Sequence, residues 1–468
     1  MDTTGLDKDI FCDGDSTWVC KVDGVDLVEL ARSLKGNPGF VWLDSATSEC
    51  GAWSYLCSDP VDTVTVAPGR TSQAIETVRS WLATTQLKDR TRNRDGFWGG
   101  VVGYLSYDAA FDLIPDLVSR HRFDGPTAEF ALYDTLIAFN HNDDQAFIRS
   151  RGLETPTSKP DGNVAERKIR RLIEILSTTR PAVSPGEPLD WKPLTSRASH
   201  IARVSAAQDY ILEGDIYQAN LAQAFMASTY NIADPFDLYL QMRDANPAPH
   251  GAWFDLGERQ IASTSPERLI SLSSAGLAEA RPIKGTIPRS SDPVADAKLQ
   301  KMLLNSKKDR AENIMIVDLL RNDLSKVCEP GTIEVPGLCE LETYAGLHHL
   351  TSSVVGTLRD NFDAVDLLCA LFPGGSITGA PKHRSVEIID ELEARARGAF
   401  CGSLGYIGFD GAMDFNILIR TVEFLNENAT LMAGGGITLL SDPNDEYDET
   451  LLKGERLLVG SRNREAAA

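Results

Sequence analysis

The chain has 468 residues and a formal net charge of −21, from 46 basic and 67 acidic side chains. This charge argues against nucleic acid and anionic membranes as partners, because both bind to basic surfaces. A hydrophobic content of 42% is ordinary for a globular protein, and a chain this long can bury its core without disulfide bonds. No apolar run approaches the roughly 20 residues that a membrane-spanning helix needs.

The chain begins with an acidic segment, residues 1–9, which no apolar run follows, so it differs from a secretory signal. The eight cysteines include no C-x-x-C pair and no cluster with zinc-like spacing. These features predict reduced thiols in a cytoplasmic protein.

Residues 17–150 alternate short apolar runs with turn signals, a pattern typical of β-strands. The glycine-rich run at 98–107 is predicted to be a strand whose backbone approaches its neighbours closely. After a loop at 152–163, apolar residues at helical spacing predict a helix at 164–179. The other strands predicted in this part are 40–43, 63–66 and 130–133.

Four prolines between residues 181 and 193 predict a linker or crossing loop. We place a boundary there, between an N-terminal region at 1–190 and a C-terminal catalytic region at 195–465.

The C-terminal half is denser in structural signals. Ser205 is predicted to cap the first of its helices. The predicted helices are 205–214, 298–320, 386–397 and 445–458, and the predicted strands are 401–408, 415–420 and 429–433. Strands and helices mix without strict βαβ alternation, so we expect the α+β class.

Two acidic pairs stand on these predicted helices. Asp309 and Glu312 share one helix face, and Glu446 and Glu449 share a face of the last helix. Two such faces could hold Mg²⁺, which takes a few carboxylates and leaves positions for water or an anionic ligand. Each pair taken alone is more typical of a solvated helix surface.

Lys284 and Glu267 are the candidate catalytic side chains. Lys284 lies between an apolar residue and a glycine, where partial desolvation would favour the neutral, nucleophilic amine. Glu267 lies at a predicted turn, where a carboxyl with a raised pKa could act as a general acid. The local sequence also fits a lysine at a strand end and an exposed glutamate paired with Arg268.

Residues 374–381 form a glycine-rich run that leads into a predicted helix, where hydroxyls and free N–H groups suit a carboxylate or phosphate. The glycines at 434–436 could likewise present N–H groups or only turn the chain. Arg420 ends a predicted strand, and its guanidinium could bind a carboxylate. The alternatives are a structural salt bridge for Arg420 and a capping or core role for His349.

In this order the motifs resemble the chorismate-utilising enzymes, which include anthranilate, aminodeoxychorismate, isochorismate and salicylate synthases. The resemblance covers about residues 200–460 and, more loosely, 98–107. The matching stretches are GDIYQANL (214–221), SPER (265–268), PIKGT (282–286), ENIMIVDLLRND (312–323), HLTS (349–352), GGSITGAPK (374–382) and the segment 445–453.

The resemblance implies the anthranilate synthase component I-like fold, with two large β-sheets packed in a sandwich and helices outside. It implies that Glu312 and Glu449 bind Mg²⁺ with support from Asp309 and Glu446, and that Glu267 is the general acid for departure of the C4 hydroxyl. The implied substrate-binding residues are Asn220, His349, Ser376, Thr378, Arg420, Gly436 and Lys453.

Two positions distinguish members of this family. Hydroxylating relatives place a lysine base where this chain has Asn220, which argues against hydroxylation at C2. Anthranilate synthases usually have alanine in the P-I-x-G-T run, whereas aminodeoxychorismate synthases have lysine, here Lys284. The resemblance therefore implies attack of Lys284 at C2 and addition of ammonia at C4. The product would be 4-amino-4-deoxychorismate, a precursor of 4-aminobenzoate and folate.

Anthranilate synthase component I is the first alternative, and a non-catalytic regulatory relative is the second. No G-x-C-x-G motif of a glutaminase occurs, so ammonia is expected from a separate glutamine amidotransferase subunit or from solution. The regions around Ser45 and around Asn246 and Pro247 resemble the tryptophan pocket of the family, which makes tryptophan a candidate ligand there.

Overall fold

The computed structural model describes residues 10–85, 87, 95–177, 189–230, 234–257, 259–343 and 346–455. The described strands are β1 (Phe11–Cys12), β2 (Trp18–Val22), β3 (Val41–Asp44), β4 (Trp53–Cys57), β5 (Asp62–Val66), β6 (Gly100–Leu105), β7 (Ala128–Tyr133), β8 (Thr135–Asn140), β9 (Gln145–Ser150), β10 (Lys192–Pro193), β11 (Gln218–Ser228), β12 (His250–Asp255), β13 (Gln260–Ser265), β14 (Arg268–Leu272), β15 (Leu277–Ala280), β16 (Ile283–Pro288), β17 (Glu334–Thr343), β18 (Leu347–Thr357), β19 (Gly379–Ala380), β20 (Ser403–Gly408), β21 (Met413–Asn416), β22 (Thr421–Leu425) and β23 (Asn428–Ile437). The described α-helices are α1 (Leu27–Leu34), α2 (Thr71–Thr85), α3 (Ala110–Leu113), α4 (Gly162–Ser177), α5 (Arg197–Glu213), α6 (Pro235–Ala245), α7 (Pro293–Leu304), α8 (Lys307–Ser325), α9 (Ala364–Leu371), α10 (Lys382–Glu393) and α11 (Pro443–Glu455).

The strands form two large sheets. The first has 13 strands in the order β1-β2-β9-β8-β4-β3-β12-β13-β22-β23-β11-β10, with β19 paired to β11. The second has 10 strands in the order β16-β18-β15-β14-β21-β20-β6-β7-β5, with β17 paired to β18. Strand pairing is antiparallel around the site described below.

A buried apolar cluster joins the two sheets face to face. Val41 and Phe254 of the 13-stranded sheet belong to the same cluster as Tyr104 and Tyr133 of the 10-stranded sheet. The opposite face of the larger sheet packs against α1, α4 and α6. The opposite face of the smaller sheet packs against α2, α8, α9 and α10. The predicted α+β sandwich with helices outside is therefore confirmed.

Burial on both faces explains why several strands read as continuous apolar runs. In β3, Val41 packs into the cluster between the sheets, whereas Trp42 packs against the helices on the other side. In β6, a Cβ at Gly103 would collide with the ring of Phe130 on β7, so the predicted close approach of backbones occurs.

Strands from both sides of residue 190 pair within each sheet, as β3 does with β12 and β6 with β20. The regions 1–190 and 195–465 thus share both sheets, and the boundary between them stays a prediction. Residues 181–188 of the predicted linker lie outside the described residues, while Lys192 and Pro193 pair with β11.

Three predicted helices differ from the structure in their caps or bounds, although the third does start just after Pro381 as predicted. The helix predicted at 298–320 is two helices, since the Ser306 side chain accepts a hydrogen bond from the amide of Asp309 and starts α8 afresh. Ser205 is not an N-cap, because Ser196 caps α5 nine residues earlier. The helix predicted at 386–397 begins directly after Pro381 and ends at Glu393.

The strand predicted at 415–420 ends at Asn416. Beyond it, the amide of Ile417 donates to the carbonyl of Glu267 at 3.0 Å, and Arg420 has a φ of +52°. Among the described residues, no helix combines the length and apolar composition needed to cross a bilayer.

Candidate active site

Lys284 lies on β16, the edge strand of the smaller sheet. The pairing with β18 shifts register between Ile283 and Thr286, and Gly285 has a φ of +87°. A Cβ at Gly285 would lie 2.9 Å from the Cβ of Asp309, so glycine is what allows β16 to pack this closely on α8. The Nζ of Lys284 donates a 2.9 Å hydrogen bond to the carbonyl oxygen of Ser376.

Glu267 lies in the turn between β13 and β14 and is 5% exposed. Its backbone is fixed, because its amide donates to the hydroxyl of Ser265 at 3.2 Å and its carbonyl accepts from Ile417. Burial raises the pKa of Glu267, and the ammonium of Lys284 opposes this shift. A buried carboxyl beside a lysine is therefore in place for proton transfer, and it is not the exposed turn residue of the alternative.

The glycine-rich loop before α10 supplies Ser376 and Thr378. The carbonyl of Thr378 accepts a 2.7 Å hydrogen bond from the amide of Asn220 on β11. The Thr378 hydroxyl donates to the carbonyl of Gly374 at 2.9 Å, so it stabilises the loop itself. Asn220 in turn pairs with Gly436 on β23. The loop, β11 and β23 therefore adjoin.

Several buried polar atoms of these segments have no hydrogen-bond partner in the described part of the chain. They are Oδ1 of Asn220 and both amide atoms of Gln218. Buried polar groups are nearly always paired, so these atoms indicate a polar ligand.

Gln218 was missed by the sequence interpretation. It is 1% exposed, and a Cβ at Gly436 would collide with its Nε2. The alternation of side chains along a strand places residue 218 on the same face of β11 as Asn220, and this spacing could have revealed it.

Two acidic helix faces lie in this part of the structure, and that of α8 borders Lys284. Burial raises the pKa of Glu312; Lys284 lowers it, and the carboxylates of Asp309 and Glu449 raise it further. Burial likewise raises the pKa of Glu446, and Glu449 adds to the shift. The charge of Glu449 reaches Glu312, so the carboxylates of α8 and α11 lie within electrostatic range of each other.

Lys453 on α11 contacts both Glu449 Oε1, at 2.6 Å, and the carbonyl oxygen of Gly434, at 2.8 Å. In the described residues, no three His, Cys, Asp or Glu side chains converge closely enough to hold a metal ion by themselves. Glu312 and Glu449, whose carboxylates lie within electrostatic range of each other, are nevertheless a donor set that suits a hard divalent cation, with a ligand carboxylate as a further donor.

His349 on β18 shares a 2.8 Å hydrogen bond with the hydroxyl of Thr286. Burial, assisted by the positive charge of Arg420, lowers the pKa of His349 to about 4. The imidazole of His349 is therefore neutral near pH 7. The effect of Arg420 on this pKa shows that its guanidinium lies within electrostatic range of the imidazole. The expected roles of His349 and Arg420 toward a substrate stay predictions.

The family model of the chorismate binding enzymes matches residues 39–459. The chain belongs to the chorismate binding enzymes. Aminodeoxychorismate synthase component 1 of Salmonella typhimurium is 40% identical over 364 residues, which are 77% of this chain and 76% of the relative. The chloroplastic aminodeoxychorismate synthase of Arabidopsis thaliana is 40% identical over 76% of this chain, but the match spans only 40% of that longer protein.

Among solved structures, anthranilate synthase component I from Streptococcus pneumoniae superposes with a TM-score of 0.77 at 29% identity. The match covers 87% of this chain and 92% of that structure. The predicted fold of the chorismate binding enzymes is thereby confirmed.

The sequence interpretation also missed the contacts of Arg397, which follows α10. Its guanidinium donates to the carbonyl of Asn220 at 2.7 Å and to that of Ile377 at 3.1 Å. It therefore joins β11 to the glycine-rich loop. A cation at the end of a predicted helix gives no sign of such contacts.

The predicted tryptophan pocket is separate from this site. Ser45 lines a cavity of about 70 Å³ together with Trp53, Tyr55 and His250. The hydroxyl of Ser45 lies 3.3 Å from the carbonyl of Pro249, whereas Asn246 and Pro247 do not line the cavity. Of the three residues predicted to form the tryptophan pocket, only Ser45 lines this cavity.

Proposed function

We propose that this protein is the large component of an aminodeoxychorismate synthase, which converts chorismate and ammonia to 4-amino-4-deoxychorismate. The contact of Lys284 with the glycine-rich loop, opposite the buried carboxyl of Glu267, carries the proposal. Relatives named component 1 of this enzyme support it over most of their length.

In the proposed reaction, the free amine of Lys284 forms a bond to C2 of chorismate. The ring double bonds shift, and the C4–oxygen bond breaks with a proton supplied by Glu267, so that water leaves. The carboxylate of Glu267 then takes up the proton released from the alkylated nitrogen. Splitting one difficult substitution in two in this way is the benefit of covalent catalysis.

Ammonia then forms a bond to C4, the double bonds shift back, and the C2–nitrogen bond breaks. The proton lost by the incoming nitrogen restores the lysine amine as a leaving group. The sum is chorismate plus ammonia giving 4-amino-4-deoxychorismate plus water. The unpaired polar atoms of Gln218 and Asn220 would orient the ring and its substituents.

Mg²⁺ is part of this proposal, with Glu312 and Glu449 as its ligands and Asp309 and Glu446 in support. When bound, it would neutralise the ring carboxylate that this acidic protein otherwise repels. The raised pKa of Glu312, to which the charge of Glu449 contributes, supports the assignment.

Ammonia is proposed to come from a separate glutamine amidotransferase subunit, in agreement with the name component 1 of the bacterial relatives. Tryptophan is a proposed ligand of the cavity at Ser45. If titration calorimetry detects no heat of tryptophan binding, the proposal that tryptophan binds in this cavity is wrong.

Anthranilate synthase component I remains the alternative activity, favoured by the structural match to the Streptococcus pneumoniae enzyme. The deciding experiment incubates the protein with chorismate, Mg²⁺ and ammonium and identifies the product by mass spectrometry. We expect 4-amino-4-deoxychorismate. Strong anthranilate fluorescence would instead establish the alternative and exclude our proposal.

A further inference from the structure

Lys382 is a nearly buried cation that the proposed reaction does not use. It is the last residue of the run GGSITGAPK and the first residue of α10, and its side chain is only 12% exposed. Its Nζ donates to Oδ2 of Asp323 at 2.6 Å and to the carbonyl oxygen of Leu371 at 2.9 Å. Asp323 is 2% exposed and ends a second motif, ENIMIVDLLRND. The two motifs therefore meet at one ion pair.

The ammonium of Lys382 closes the base of the glycine-rich loop, which spans residues 372–381. Leu371 is the last residue of α9 and directly precedes the loop, so the contact between Lys382 and Leu371 joins the two ends of the loop. The dipole of α9 favours a cation at this position. Burial lowers the pKa of Lys382, and the carboxylate of Asp323 opposes this shift. The ion pair thus compensates a charge that burial disfavours.

Asp323 anchors this base to α8. It lies in the last turn of the helix whose first half carries Glu312. A Cβ at Gly375 would lie 3.3 Å from Cδ1 of Leu319, so the loop also packs on α8 one turn before Asp323. Residues four apart share a helix face. The loop therefore rests on one face of α8, with the ion pair of Lys382 at its end.

The loop in turn contacts both proposed catalytic side chains. The carbonyl oxygen of Ser376 accepts the 2.9 Å hydrogen bond from Nζ of Lys284. The hydroxyl of Ser376 bonds to the carboxyl of Glu267 and lowers its pKa. On its other side the loop pairs with β11 through β19. Backbone pairing thus fixes the loop toward β11, and Lys382 fixes it toward α8.

We propose that Lys382 is a positioning residue, whose ion pair with Asp323 holds Ser376 against Lys284 and Glu267. It acts through the loop, since its ammonium contacts Asp323 and Leu371. A catalytic group displaced by about 1 Å can lose on the order of 100-fold in rate, so a loosened loop should slow the reaction. This effect on turnover rests on the proposed function, whereas the effect on the amine of Lys284 does not.

The test uses the two lysines that share the carboxylate of Asp323. Lys326, which directly follows α8, pairs with Oδ1 at 2.7 Å, and its side chain is 54% exposed. Lys382→Met removes the contact with the loop, while Lys326 still compensates the buried carboxylate. Lys326→Met is the matched control, because it removes an equal charge from the same carboxylate and leaves the contact of Lys382 in place.

The first measurement is the rate at which acetic anhydride acetylates Lys284, followed by peptide mass spectrometry without substrate or metal. An ammonium that loses its hydrogen-bond acceptor gives up its proton more readily. Lys284 should therefore be acetylated about threefold faster or more in Lys382→Met, and at the unsubstituted rate in Lys326→Met. A role of Lys382 in stability alone would leave this rate unchanged in the folded protein.

The second measurement is the pH profile of kcat with chorismate and ammonium. In Lys382→Met, kcat should fall about 30-fold. Its decline at alkaline pH should also move to higher pH, because the hydroxyl of Ser376 no longer lowers the pKa of Glu267. The control should stay within about twofold of the unsubstituted protein at each pH.

Equal acetylation of Lys284 in Lys382→Met and the unsubstituted protein would overturn the proposal. An equal increase in Lys326→Met would do the same, since the cause would then be the charge of Asp323 and not the loop. If circular dichroism shows that Lys382→Met is unfolded, Lys382→Met/Asp323→Asn takes its place, because it leaves no buried carboxylate uncompensated. Failure of the proposed function shows separately, as the absence of 4-amino-4-deoxychorismate from the unsubstituted protein, while acetylation still reports on Lys284.

Discussion

Arg397 and Glu393 form an ion pair of 2.6 Å in which both side chains are only 1% exposed. Glu393 also accepts a 2.8 Å hydrogen bond from the amide of Ala222 on β11. Because Arg397 contacts the carbonyls of Asn220 and Ile377, the pair fixes two substrate-facing segments relative to each other. It positions the site without facing the reacting atoms.

Replacing Arg397 with methionine should leave Glu393 buried and uncompensated. We expect the free energy of unfolding to fall by about 3–5 kcal/mol, measured by urea denaturation. The KM for chorismate should rise while the KM for ammonium changes little, because the freed segments hold the ring.

The double variant Arg397→Met/Glu393→Leu separates stability from positioning. It should regain most of the stability, since no charge stays buried, but it should keep the raised KM for chorismate. If the double variant restored both quantities, the pair would have a purely structural role.

Lys284→Ala should abolish the covalent route. We expect ammonium-dependent kcat to fall on the order of a thousandfold or more, because the nucleophile and its contact with Ser376 are both lost. Rapid quenching and intact-mass spectrometry should detect an adduct in the unsubstituted protein and none in the variant. Full activity of Lys284→Ala would contradict the nucleophile assignment.

Glu267→Gln tests the general acid. Because burial raises the pKa of Glu267, the acid form persists to a higher pH than in an ordinary glutamate, and activity is lost as pH rises through that pKa. The variant should lose about 100-fold or more in kcat, and this limb of the pH profile should vanish. It should also be more stable than the unsubstituted protein at alkaline pH, where ionising Glu267 destabilises the native state, and this difference should disappear in acid. If the variant's kcat still falls at alkaline pH as in the unsubstituted protein, another group is responsible for that fall.

The sequence predicted the parts of the site that lie in short motifs, such as Lys284 with its glycine and the acidic pairs on α8 and α11. Gln218 and Arg397 were missed because their roles depend on contacts between distant segments. The break before α8 was also missed, since helical apolar spacing continues through it and only the side-chain contact of Ser306 reveals it.

The lowered pKa of His349 predicts a loss of stability in acid. The unfolded chain takes up a proton near pH 6.5, whereas the native imidazole does so only near pH 4. Stability should therefore fall as pH decreases across this window, by on the order of 3 kcal/mol from this residue. His349→Gln, which can still bond to Thr286, should show a correspondingly smaller loss in urea denaturation between pH 7 and pH 4. An identical pH dependence in the two proteins would contradict a buried neutral imidazole.

Glu312→Gln and Glu449→Gln test the magnesium assignment. Each removes one of the two proposed ligand carboxylates while keeping the side-chain size, so we expect the Mg²⁺ concentration for half-maximal activity to rise about tenfold or more. Glu312→Gln should also be slightly more stable without metal, because a half-buried carboxylate with a raised pKa is removed. Asp318→Asn is the matched control, since this carboxylate lies on α8 as well but pairs with Arg321 at the surface. Calorimetric titration of Mg²⁺ in the presence of chorismate should show weaker binding in both glutamine variants and normal binding in the control. Equal affinity in all four proteins would place the cation elsewhere.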